Sequence, residues 1–65
     1  MPERYVGRTV EMIYLDRQGR ITQRIVQVRR IQGGRVLGWD VNKRAPRSFD
    51  ADRILAVRTV PRHVS

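Results

Sequence analysis

The chain has 65 residues, 40% of them hydrophobic, and its 14 Lys and Arg against 6 Asp and Glu give a net charge of +8. That length holds one small domain, which buries only ~60% of the surface its unfolded form exposes, so its core is marginal. The hydrophobic fraction is too high for a disordered tail, no apolar run approaches the ~20 residues of a membrane span, and the absence of cysteine excludes disulfides, thiolate metal sites and thiol nucleophiles.

In chain order, the opening Met1-Pro2-Glu3-Arg4-Tyr5 is too short and too polar for a targeting segment, so a cytoplasmic domain with no membrane partner is expected. Thr9 to Leu15 alternates with a period of two, Val10, Met12 and Tyr14 on one side, and predicts a strand. Asp16-Arg17-Gln18-Gly19 is a turn, with Gly19 able to take positive φ. Ile21 to Arg30 is a second strand, completing a hairpin. Thr22, Arg24, Val26 and Val28 form one face, Ile21, Gln23, Ile25 and Gln27 the other. Neither face is wholly apolar, as in a strand that bulges part-way and swaps its buried side.

Gln32-Gly33-Gly34 is the next turn, and Arg35 to Val41 resumes alternation through Leu37, Trp39 and Val41. This pattern assigns Trp39 to the core, with base stacking as the alternative role. Asn42 to Pro46 is a loop, Arg47-Ser48-Phe49 a short strand and Asp50-Ala51-Asp52 a corner. In the last segment, Asp52 could cap a short helix through Arg53 to Ala56, while Val57, Thr59 and Val60 favour a strand ending at Pro61. Five short strands at this spacing predict an all-β fold, a small five-stranded antiparallel barrel of the SH3 or Sm kind. The expected core is Val10, Met12, Val26, Leu37, Trp39, Phe49, Ile54 and Val57.

Thirteen of the fourteen cations are arginine, the planar, bidentate cation suited to phosphates and bases. Their distribution is uneven. Residues 17–35 hold Arg17, Arg20, Arg24, Arg29, Arg30 and Arg35 and no acid, whereas residues 1–16 have a net charge of −1 and residues 36–65 of +3. An acid-free stretch of that density repels itself unless a polyanion lies across it, which points to nucleic acid; a solvated, solubilising face is the alternative. Catalytic chemistry is not visible. His63 is a lone histidine in the tail, Ser48 and Ser65 have no adjacent base, and Asp50 and Asp52 suit a turn better than acid–base work. No cofactor, metal or enzymatic activity is expected.

Two segments carry a family resemblance. From Tyr14 through Arg24, a tyrosine ends an apolar strand, Gly19 follows five residues on and Arg24 five after that. From Arg47 to Ile54, an arginine, a small polar residue, Phe49 and two further residues precede Asp52-Arg53-Ile54. In this order, with glycine turns between, they resemble the WYL domain, a bacterial ligand-sensing module of Sm/SH3-like fold, over about Val10 to Thr59. The eponymous Trp-Tyr-Leu falls on Arg35-Val36-Leu37, a proline usual after the second strand is Val28, and an often basic position is Asp50.

The resemblance implies a regulatory module that binds nucleic acid (single strands above all) or a nucleotide, in transcription control, DNA-damage response or phage defence. It places Arg24, Arg47 and Arg53 with Tyr14 at an anion pocket, and Arg29, Arg30, Arg35, Lys43 and Arg44 as the basic surface around it. Pairing of Arg47 or Arg53 with Asp50 or Asp52 is the competing role for those two. Family members commonly carry a helix-turn-helix, so a freestanding module or one working through a larger regulator or a helicase is expected. A homodimer through a strand edge or through Ile13, Leu15 or Leu55 is a further expectation. The competing functions are a protein-interaction barrel that docks partners on a strand edge and a general architectural binder of duplex DNA.

Overall fold

The computed structural model describes residues 1–61; His63 lies outside the described residues. After a 3₁₀ turn at Glu3–Tyr5, the chain forms β1 (Thr9–Leu15), β2 (Ile21–Gln32), β3 (Arg35–Asp40) and β4 (Ala45–Asp50). A second 3₁₀ turn, Ala51–Arg53, leads into β5 (Ile54–Thr59). All neighbouring strands are antiparallel and the sheet order is β4-β3-β2-β1-β5. The all-β, five-stranded antiparallel fold expected from the alternation is therefore present. Asp52 does not start a helix through Ala56, and β4 begins two residues before the expected Arg47. No helix among the described residues is long and apolar enough to cross a membrane.

Turn chemistry sets the hairpins. Asp16 Oδ1 accepts from the backbone N–H of Gln18 at 2.9 Å and of Arg20 at 2.8 Å, with Gly19 at φ +80°. Gly33 and Gly34 both have positive φ, as a tight two-residue connection between twisted strands requires. β2 bulges between Val28 and Arg30, leaving Arg29 as the extra residue opposite β3. The buried side passes from Val26 and Val28 to Ile31 across that bulge, the swap that the mixed faces of this strand imply.

β4 and β5 occupy opposite edges, yet only Ala51–Arg53 connects them. In a flat sheet the two edges would lie about 19 Å apart. The chain from Asp50 to Ile54 reaches at most about 14 Å. The sheet must therefore curl. It stops short of closure, because no ladder joins β4 to β5, and "barrel" describes it only loosely. Side chains bridge the seam instead. The Tyr14 ring meets Phe49 edge-on at 5.1 Å, and its hydroxyl accepts the Asp50 N–H at 3.0 Å. Arg53 Nη1 donates to the Asp16 carbonyl at 3.1 Å and, at the 3.5 Å limit, to that of Leu15.

Tyr5, Val10, Met12, Val26, Val28, Val36 and Phe49 form the core, with Tyr14, Ile31, Ile54 and Val57 partly buried against it. Leu37 and Trp39 are not in it, contrary to the alternation of β3. That strand turns Val36, Gly38 and Asp40 inward, so Leu37 and Trp39 lie half-buried on the outer face. Gly38 permits the close approach: a Cβ there would overlap the Gln27 carbonyl oxygen and sit 2.8 Å from a Val26 Cγ.

Phe49→Ala is expected to cost about 3–5 kcal/mol, most of the stability of a domain this small. Leu55→Ala, at a side chain 53% exposed, should cost under about 0.5 kcal/mol. Urea unfolding followed by far-UV circular dichroism separates the two, and equal midpoints would contradict this core.

Candidate functional site

Curling brings the end of β1, the first hairpin turn, β2 and β4 around a concavity of about 310 Å³. Its cationic lining is Arg17, Arg24, Arg35 and Arg47, with Tyr14, Asp16 and Asp50 among the other residues. Of the expected site, Tyr14, Arg24 and Arg47 thus come together, joined by Arg35 from the expected surrounding surface. Arg53 does not line the cleft. Its guanidinium is engaged by the carbonyls at the seam and by Asp50, 3.7 Å from Nε.

Arg24 projects from the inward face of β2, its side chain 16% exposed, with Nε donating to Thr22 Oγ1 at 3.3 Å. Its Nη1 lies 3.5 Å from Oδ2 of Asp40, a side chain only 1% exposed. The sequence places Arg24 far from any acid; the fold brings Asp40 to it. Asp40 is paired with Val26 on β2, so Arg24, two residues along, is its diagonal neighbour on the same face. Asp40 Oδ1 accepts the N–H groups of Asn42 and Lys43, both at 3.1 Å, and so organises the β3–β4 turn. Oδ2 has no aligned hydrogen-bond donor, which leaves the Arg24 guanidinium as its compensating charge among the described residues.

The acids that line the cleft, Asp16 and Asp50, are also matched. Asp50 Oδ1 lies 3.6 Å from Arg35 Nη2, and Arg35 Nη1 donates to Ser48 Oγ at 3.1 Å. Asp16 has Arg20 Nε at 3.7 Å. Among the described residues no carboxylate lies within 4 Å of Arg17 or Arg47, nor of Arg29, Arg30, Lys43 or Arg44. Lys43 and Arg44 lie exposed in the β3–β4 turn, where Arg44 adopts φ 55°. Arg30 is exposed just past the bulge in β2.

A second depression, of about 540 Å³, lies on the outer face and is lined by Leu37, Trp39 and Pro46 with Gly38, Arg29, Arg47 and Ser48. Trp39 reaches it because Val36 and Asp40 take the inward positions of β3 and the period of two sends their neighbours out. The alternation of Leu37, Trp39 and Val41 conceals this, since it reads as the buried face. The one opposing signal in the sequence is Gly38, the residue for a close backbone approach.

No family model matches the chain, and neither the curated proteins nor the solved structures compared with it give a match.

Arg24→Ala would leave the Asp40 carboxylate buried without its countercharge, at an expected cost of about 3–5 kcal/mol. The double variant Arg24→Met/Asp40→Asn keeps the turn acceptor and removes both charges, so most of that loss should be recovered. Thermal unfolding of the two variants is the measurement; a wild-type midpoint for Arg24→Ala would show that the pair does not support the fold.

Proposed function

We propose that the protein is a non-catalytic regulatory module of the cytoplasm that binds single-stranded nucleic acid across the arginine-bearing face of its cleft. The observation that carries this reading is the division of the cleft's charges. Its two acids, Asp16 and Asp50, each have an arginine beside them, and its Arg24 faces the buried Asp40, while Arg17 and Arg47 have no carboxylate within 4 Å among the described residues. Two guanidinium groups at one concavity, on a chain of net charge +8, suit phosphate oxygens, which they can meet bidentately. Arg47 takes the part of principal phosphate contact. Arg24 acts through the fold, by neutralising Asp40, and Arg35 by holding Asp50 and Ser48.

A flexible single strand can lead one phosphate into a cleft of this size while its bases remain free to seek other contacts. The resemblance of Tyr14 to Arg24 and of Arg47 to Ile54 to WYL signatures supports a regulatory setting for such binding, alone or on a larger partner.

The test is affinity for a short oligothymidylate over a salt series. Arg47→Ala should weaken binding roughly ten-fold and lower the salt dependence by about 0.7 in the log–log slope, the amount for one lost phosphate contact on a single strand. Arg4→Ala, whose guanidinium lies 5.1 Å from the Tyr5 ring centroid, should change both far less. Equal small losses in the two variants would replace this reading with diffuse charge attraction. Absence of wild-type binding at low salt would favour protein docking on a strand edge.

A further inference from the structure

We infer that the outer-face depression is a base-stacking subsite, in which the Trp39 indole receives a nucleobase of the strand whose phosphate lies in the cleft. The inference rests on the nucleic-acid reading above and adds the part of the ligand that the arginines do not recognise. Three observations carry it. First, Trp39 is excluded from the core by the phase of β3 and is half-buried on the outer face, between Gln27 of β2 and Pro46 of β4. Its neighbours in the depression are apolar Leu37 and Pro46, so the pocket offers a flat aromatic surface with an apolar surround.

Second, the bulge places Arg29 at the same depression, with no carboxylate within 4 Å among the described residues. An uncompensated guanidinium beside an aromatic plane complements a nucleotide, whose base stacks and whose phosphate is anionic. An apolar peptide would leave that charge unanswered. Third, the depression and the cleft meet at the edge strand. Arg47 and Ser48 border both, one on each side of β4. A single strand crossing this edge sets one base on Trp39 and carries a neighbouring phosphate past Arg47 into the cleft. Duplex DNA, whose bases are stacked on one another, cannot make the first contact without losing a pair.

Trp39 is the only tryptophan in the chain, so its fluorescence reports this site alone. The experiment compares an oligothymidylate of about 12 nucleotides with an abasic oligomer of equal length and phosphate number, at low salt, on the intact protein. The thymidylate should bind about ten-fold or more tightly than the abasic oligomer and quench Trp39. Trp39→Ala should lower thymidylate affinity to the abasic level and leave abasic affinity unchanged, while Trp39→Phe, which retains a ring, should preserve most of the preference. Equal wild-type affinities with Trp39 fluorescence unmoved would overturn the stacking subsite and leave the phosphate-binding cleft standing. No binding of either oligomer would overturn both. Because the decisive comparison uses two ligands on the wild type, it holds even if Trp39→Ala does not fold.

Discussion

Asp40 is a carboxylate placed among valines, and the arrangement of the protein follows from how that charge is accommodated. Removing an ion from water costs several kcal/mol, so it requires an opposite charge and hydrogen bonds at its remaining lone pairs. Arg24 supplies the charge from the adjacent strand, and the amides of Asn42 and Lys43 supply the hydrogen bonds. Holding Asp40 inward sets the phase of β3, because residues two apart share a face. Val36 then meets the core, Gly38 lets β2 approach, and Leu37 and Trp39 emerge on the other side. One ion pair thus anchors a turn, the packing of two strands and the outward position of the aromatic residue.

The curl of the sheet is the second constraint. A three-residue connection between opposite edges leaves no flat arrangement, and the seam where a ladder is missing is joined by Tyr14, Phe49, Asp50 and Arg53. Their roles here are largely architectural: Tyr14 uses its hydroxyl on a backbone N–H, and Arg53 engages two carbonyls and a carboxylate. Tyr14, Phe49 and Asp50 also line the concavity that the curl creates.

Charge is partitioned accordingly. Arg20, Arg24, Arg35, Arg53 and Arg58 each lie beside a carboxylate, and Arg58 Nε contacts Glu11 Oε1 at 2.7 Å. Arg17, Arg29 and Arg47 lie around the two depressions without such a partner among the described residues. A high arginine count alone does not distinguish these classes. A guanidinium already facing a carboxylate offers less to a phosphate than one facing water, so the second group is the better candidate for a polyanion.

The sequence by itself determined five strands, with β4 two residues short and the start of β5 open to a helix, together with the first two hairpin turns and the bulge in β2. Period-two alternation, Asp16 with Gly19, and the Gly33-Gly34 pair act through local backbone preferences that need no distant partner. It also marked Val10, Met12 and Phe49 as core, because their strands offer one apolar parity or one large apolar residue, and it marked Val26 on a strand whose faces are mixed. For β3 the local signal is ambiguous: Leu37, Trp39 and Val41 make the more apolar face, while Val36 and Gly38 share theirs with an aspartate. Only the tertiary structure decided between them, by bringing Arg24 diagonally across from Asp40 and making the charged parity the buried one. The same holds for the arginines. Arg20 and Arg53 find their carboxylates within four residues along the chain, but Arg24, Arg35 and Arg58 are neutralised only through strand register, which brings together residues as far apart in the chain as Glu11 and Arg58.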